Sequence, residues 1–190
     1  MKKIDQFAKY KWWVFAAFIL IVALSRLLPH PYNFTPIGGM ALFAGSVFAG
    51  RKLLMIIPII AYMISDILVN NLIYANYYDE FIWITSPSVY LSLALIIALG
   101  YFMLRKIKAK NVILASVAAS VLFYLITNFF VWLGSPTYPT NFAGLMSSYT
   151  AAIPFFWNTL VGDLFYCTLL FGSYVLLVKS NPEYKVSRAV

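Results

Sequence analysis

The stretch Asn33–Gly50, NFTPIGGMALFAGSVFAG, sets the reading of the whole chain. Thr35 is a favourable N-cap, and Pro36 at the first helical position loses nothing by lacking an N–H. Gly50 ends the helix, and Arg51-Lys52 mark a boundary with water. Between these signals Ala41, Gly45 and Ala49 recur at four-residue intervals, a stripe of small side chains that lets a second helix approach closely in lipid. Upstream, Pro29-His30-Pro31 keeps the backbone extended, so the helix start faces the mouth of any cavity. The stretch predicts a short helix in the middle of the protein, with everything else packed around it.

A chain of 190 residues suits a single domain, 1–190. Apolar residues make up 63% and charged ones 11%, against roughly 45–50% and about 25% in soluble domains. The apolar runs are also too long for soluble core helices, which predicts an all-α integral membrane protein. The formal charge of +8 does not point to nucleic acid, because the basic residues lie between hydrophobic runs and not along a soluble face. The single cysteine, Cys167, excludes an internal disulfide and a cysteine-based zinc site, and is expected to pack as a small apolar side chain.

Six transmembrane helices are predicted, over about 12–28, 35–49, 53–74, 86–104, 112–133 and 150–178. The first could instead be a signal peptide, with Ala23-Leu24-Ser25 as cleavage site, but the apolar run continues through Leu27-Leu28 and favours a retained helix. With the N-terminus inside, thirteen of the fourteen basic residues fall on the cytoplasmic side: Lys2, Lys3, Lys9 and Lys11, the 51–52 turn, the 105–110 loop, and Lys179, Lys185 and Arg188. Only Arg26 falls outside. Both termini are therefore expected to be cytoplasmic. Loop 134–149, GSPTYPTNFAGLMSSY, carries no charge and is expected to form a lid over a binding mouth, or else an ordinary interfacial loop.

Polar groups at membrane depth are the candidate site. Asp66 lies about 13 residues from the inner end of its helix, hence roughly 20 Å up. Tyr62, Asp66 and Asn70 share one helix face, as do Tyr124, Asn128 and Trp132 on the fifth helix; Asn158 and Asp163 lie on the sixth. A carboxylate at mid-bilayer costs about 2.5–3.5 kcal/mol, so it should face protein or trapped water. Arg26 is expected to pair with Asp66 or Asp163, either to make burial tolerable or as part of a pocket wall. A proton relay through the two aspartates is a further option. His30, between prolines at the outer end of the first helix, is a hydrogen-bonding group or a ligand for a metal-bearing substrate. Pro58…Asp66 faintly echoes Pro154…Asp163, as internal repeats of transporters do.

No phosphate-binding loop, HExxH or cofactor fingerprint is present, and one histidine supports no catalytic triad; the chain is expected to be no enzyme and to need no cofactor or resident metal. The patterns RLLPHPYNFTPIGGMALFAG, SVLFYLITNFFVWL and NTLVGDLFYCTLLFG resemble a bacterial family of uncharacterised transport proteins. That family is in turn similar to the substrate-binding S components of energy-coupling-factor (ECF) vitamin transporters. The resemblance covers about residues 20–175. It implies a six-helix bundle in the bacterial cytoplasmic membrane that captures a small nutrient from outside. A membrane coupling subunit and paired ATPases would then act as partners. S components commonly carry an Ala-x-x-x-Ala docking motif in the first helix; here AAFILIVA lacks that spacing, and Ala41, Gly45 and Ala49 are the candidates for partner helix packing.

These readings converge on a substrate-binding membrane protein with an outward-facing pocket. Its expected walls are Arg26, His30, Asn33, Thr35, Asp66, Asn70, Asn128, Trp132, Tyr149, Asn158 and Asp163. The free N–H groups at the start of the second helix are expected to meet an anionic or carbonyl group of the ligand. The alternative is a non-transporting membrane scaffold with the same bundle and no cavity. An open pocket of roughly 300 Å³ or more separates the two.

Overall fold

The computed structural model describes residues 2–186, with side chains from residue 10 onward. Arg188 and the side chains of Lys2, Lys3 and Lys9 lie outside that part. The described chain is all-helical: α1 Lys2–Leu24, α2 Ile37–Val47, α3 Ile57–Leu68, α4 Pro87–Met103, α5 Ala109–Gly134 and α6 Phe142–Ser180. Short 3-10 turns at Ser25–Leu27, Lys52–Ile56, Ala75–Tyr77 and Pro182–Tyr184 join them, and a π-helical turn, Val69–Ile73, continues α3.

Four helical segments are long and apolar enough to cross a membrane: Tyr10–Leu27, Lys52–Ile73, Ala109–Gly134 and Phe142–Ser180. This is the pattern of a multi-pass membrane protein. The two remaining helices are shorter. α2 has 11 residues, which at 1.5 Å per residue covers about 17 Å of a hydrocarbon core about 30 Å thick.

That short helix is nonetheless the centre. Every residue of α2 is buried, and it touches all five other helices. α4 and α6 are its main neighbours, and α5 and α6 form the most extensive pair. Around α2 the core is aromatic: Phe43 packs on Phe15, Phe171 and Tyr174, at 5.3–6.3 Å between ring centres. The C-terminal turn folds back on α1, where Tyr184 stands 6.4 Å from Phe15 and Lys11 Nζ reaches the Lys185 carbonyl at 3.4 Å. Cys167 is buried beside this core, as expected.

The small-residue stripe is covered by the chain itself. A β-carbon on Gly45 would overlap the Ile97 carbonyl of α4, and one on Gly100 would overlap the Leu42 carbonyl. Reciprocal glycines thus let α2 and α4 cross backbone to backbone. Ala41 is fully buried and Ala49 partly so. The sequence assigned this stripe to a partner; the close approach it permits is to α4.

Two boundaries differ from expectation. α1 begins well before Trp12, because the lysine-rich arm continues the helix. More consequentially, α6 starts at Phe142 and not near 150. Asn141 caps it, its side-chain oxygen accepting from the Gly144 N–H at 2.9 Å. Ser147 and Thr150 return their hydroxyls to carbonyls four residues back, so a polar composition that reads as loop is accommodated in helix. The expected lid over 134–149 shrinks to the short connection 135–141. The proline echo also dissolves: Pro58 opens α3, whereas Pro154 is inside α6.

Gly45→Ala should destabilise the folded chain by about 1–3 kcal/mol through overpacking against a backbone that cannot yield. Gly172→Ala, where the added carbon meets nothing within 4 Å, should be neutral or mildly stabilising. Thermal unfolding of the two variants in detergent checks the contrast.

Candidate functional site

The chain runs back and forth so that the starts of α2, α4 and α6 and the ends of α1, α3 and α5 share one pole, opposite Arg51-Lys52 and the 105–110 turn. Two cavities sit at this pole. α1 breaks after Leu24 and the chain then runs extended through Pro29-His30-Pro31, while α3 widens into its π turn. The space between them is a cavity of about 480 Å³, lined by Arg26, Leu28, His30, Tyr32, Asn33, Thr35, Val69, Ile73 and Tyr74 among others. A second cavity of about 250 Å³ lies between α4, α5 and α6, lined by Ser86, Ser88, Tyr124, Thr127, Asn128 and Thr159 with Phe123, Phe155 and Phe156. Asn33 lines both. It alone among the non-glycine described residues has a positive φ, 63°, a left-handed conformation that asparagine tolerates.

The first carboxylate closes an ion-pair network at the floor of the larger cavity. Arg26 Nη2 meets Asp66 Oδ1 at 3.0 Å, with the two side chains only 10% and 5% exposed. Arg26 Nη1 donates to Ser65 Oγ at 2.9 Å, and its guanidinium carbon stands 4.5 Å from the Tyr62 ring centre. Thr85 donates to Asp66 Oδ2 at 2.7 Å and accepts from Asn70 Nδ2 at 2.7 Å. Tyr62, Asp66 and Asn70 therefore do share one working face, and of the two partners open to Arg26 the structure selects Asp66. The network ties the end of α1, the π turn and the segment before α4 into one unit. Asn71, next to it, holds Ile82 through both backbone groups, at 2.8 and 2.9 Å.

The second carboxylate is elsewhere. Asp163, 1% exposed, accepts Ser120 Oγ at 2.7 Å and the backbone N–H groups of Gly38 and Gly39. It is the N-cap of α2 supplied from α6. Thr35 makes no such bond; the cap position is Pro36, with no side-chain hydrogen bond of its own. A β-carbon on Gly38 would overlap the Asp163 carboxylate, so glycine is what lets the acid reach the helix start. This corrects two expectations. The α2 N-terminus is not free for a ligand, since a carboxylate of the same chain already occupies its positive end. Nor do Asp66 and Asp163 share one pocket wall or one hydrogen-bonded relay, because each is enclosed in its own network.

The remaining expected residues divide. Arg26, His30, Asn33 and Thr35 line the larger cavity and Asn128 the smaller. His30 Nδ1 donates to the Leu28 carbonyl at 2.6 Å, which leaves Nε2 as the free ring nitrogen. Asn128 Nδ2 donates back to the Tyr124 carbonyl, while the Asn128 backbone carbonyl accepts from Ser148 Oγ. Asn158 holds the Tyr32 carbonyl at 2.9 Å, and Gly162 lies against the Phe34-Thr35 backbone, so this face of α6 positions the cavity rim. Trp132 binds the Pro139 carbonyl and Tyr149 the Leu125 carbonyl; both are half-buried and line neither cavity. Ser65, Thr85 and Ser120 were not singled out from sequence. Ser65 adjoins Asp66, and Ser116 and Ser120 recur at helical spacing, but nothing local marks Thr85.

The sequence profile of a family of unknown function matches residues 6–185. The chain belongs to DUF6580. No curated protein and no solved structure matches it. In this DUF6580 protein, then, the site rests on its own geometry: two adjoining cavities joined by Asn33, a closed arginine–aspartate network beneath the larger one, and an aspartate-capped central helix beside them.

Asp66→Ala should destabilise the protein by about 3–5 kcal/mol, because it strands the Arg26 charge in a buried site. The double variant Arg26→Met, Asp66→Leu should recover a substantial part of that loss. Denaturation midpoints of wild type, single and double variants test the pairing.

Proposed function

We propose that this protein is a substrate-binding transport protein of the bacterial cytoplasmic membrane. It takes up a small nutrient of about vitamin size from the extracytoplasmic side. The carrying observation is the cavity of about 480 Å³ at the pole opposite the basic turns, lined by a cation, an imidazole, an amide, a hydroxyl and aromatic rings. That volume lies in the range of small-molecule sites, and a largely apolar wall with a few convergent polar groups is their usual make-up.

In this reading the chain crosses the bilayer six times with both termini cytoplasmic. The positive-inside distribution of basic residues supports it, as does the packing of the C-terminal turn on α1. α2 is too short to cross alone. Asp163, level with its start, lies 17 residues from the inner end of α6, Ser180, which is about 26 Å. The crossing is therefore completed by the extended segment 28–36. Non-helical backbone at that depth is tolerated where it is covered by protein or lines a water-filled cavity. This segment does line one, which is the physical reason to expect a wet, outward-opening pocket there.

The S-component resemblance belongs to the same proposal and adds a coupling subunit with ATPases as partners; α2 is not the surface they would use, since it is wholly buried. The chain itself performs no chemical step in this reading. The rival reading, a membrane scaffold, draws on the self-pairing of both carboxylates, which leaves neither waiting for a ligand.

Gently purified protein should carry a small organic molecule detectable by native mass spectrometry. Ile73→Trp, at an exposed position on the π turn that lines the larger cavity, should abolish that association with an unchanged thermal midpoint. Absence of any bound molecule, or its full retention in the tryptophan variant, would favour the scaffold.

A further inference from the structure

Below the Arg26 network, α1 and α3 leave an apolar groove of about 370 Å³ between them, lined in part by the small side chains of Ala16, Ala17 and Ala61. At its basic end the groove runs into a second hollow of about 190 Å³. Trp13, Ala16 and Ile57 line both, so the two adjoin.

The end of this path is charged. Arg51 edges the second hollow, with its guanidinium carbon 5.1 Å from the Trp12 ring centre, and Lys11 Nζ stands 5.2 Å from the same ring. Among the described residues the one ion pair is that of Arg26 with Asp66, so neither cation here is paired with a described carboxylate. Two cations and an indole at the water boundary, leading into a dry groove along two membrane helices, match an amphiphile with an acyl chain and a negative head.

We propose that these adjoining hollows bind one anionic phospholipid, with an acyl chain between α1 and α3 and the phosphate against Arg51 and Lys11. A zwitterionic lipid fits the apolar part equally well but brings its own cation to a site that already has two. The head-group preference therefore comes from the basic end, and the residence of the chain from the alanine floor. The proposal is independent of whether the opposite pole binds a nutrient.

The full-length protein in detergent is incubated with equal amounts of dioleoyl phosphatidylglycerol and dioleoyl phosphatidylcholine, and bound lipid is counted by native mass spectrometry. One phosphatidylglycerol should be retained in preference. Arg51→Gln and Lys11→Gln should each lower that preference about fivefold. Ala17→Trp, which fills the groove from an exposed position, should remove the bound lipid whichever head group it carries. Arg105→Gln, on the exposed turn after α4, should leave the preference unchanged. Equal retention of the two lipids by the wild type overturns the proposal. So does a loss in the Arg105 variant as large as that in the Arg51 variant, or a lipid that stays bound in Ala17→Trp, each with thermal midpoints unchanged.

Discussion

A carboxylate placed on the first N–H groups of a buried helix holds this molecule together. The start of α2 is enclosed by protein, and its orphan donors have no water to turn to. Asp163 satisfies the Gly38 and Gly39 N–H groups and takes a further bond from Ser120, so three elements meet at one acid. Its oxygens accept at the positive end of the helix dipole, where negative charge density is favoured. Because α2 touches every other helix, the position of this cap sets the height at which the central helix begins. The extended segment before it must then span the remaining distance, and the larger cavity lies along that segment.

Around this point the packing follows from side-chain size. Gly45 and Gly100 remove the β-carbons that would hold α2 and α4 apart, and Gly162 does the same for α6 against the Phe34-Thr35 backbone. In lipid, where apolar surface gains little by meeting other apolar surface, such close approach is what favours helix against helix. Bulky rings then fill the basic half, where Phe15, Phe43, Phe171 and Tyr174 interlock. The opposite half adds hydrogen bonds to its ring contacts. The Arg26 network fastens three segments whose backbones diverge, and divergence is what leaves open volume between them. The π turn at Val69–Ile73 fits this division, since an extra residue per turn shifts side chains toward the rim.

Composition, length of apolar runs and helix punctuation were sufficient to establish an all-helical membrane chain with a short central helix. These are local or summed properties, and the solvent enforces them: lipid-exposed backbone must satisfy its own hydrogen bonds, as a helix does, and small residues at four-residue intervals favour a close neighbour. The one-face grouping of Tyr62, Asp66 and Asn70 was equally legible, since the helical repeat fixes it. The start of α6 was misread because a run rich in Ser, Gly and Tyr has little intrinsic preference, and its N-cap, Asn141, sits inside a stretch of turn-forming residues.

What the sequence could not supply is who meets whom. Arg26 had two carboxylates within plausible depth, and only the relative placement of α1, α3 and α6 assigns it to Asp66. Asp163 looked like a residue in search of a ligand, yet its ligand is the backbone of α2, and a backbone N–H leaves no mark in a sequence. Thr85 joined the network from a loop with no periodicity to betray it. Sequence thus determined the elements and their solvent, because those depend on short-range geometry and transfer energy. The tertiary structure decided which polar groups satisfy one another and where space is left over, because both depend on distances between segments far apart in the chain.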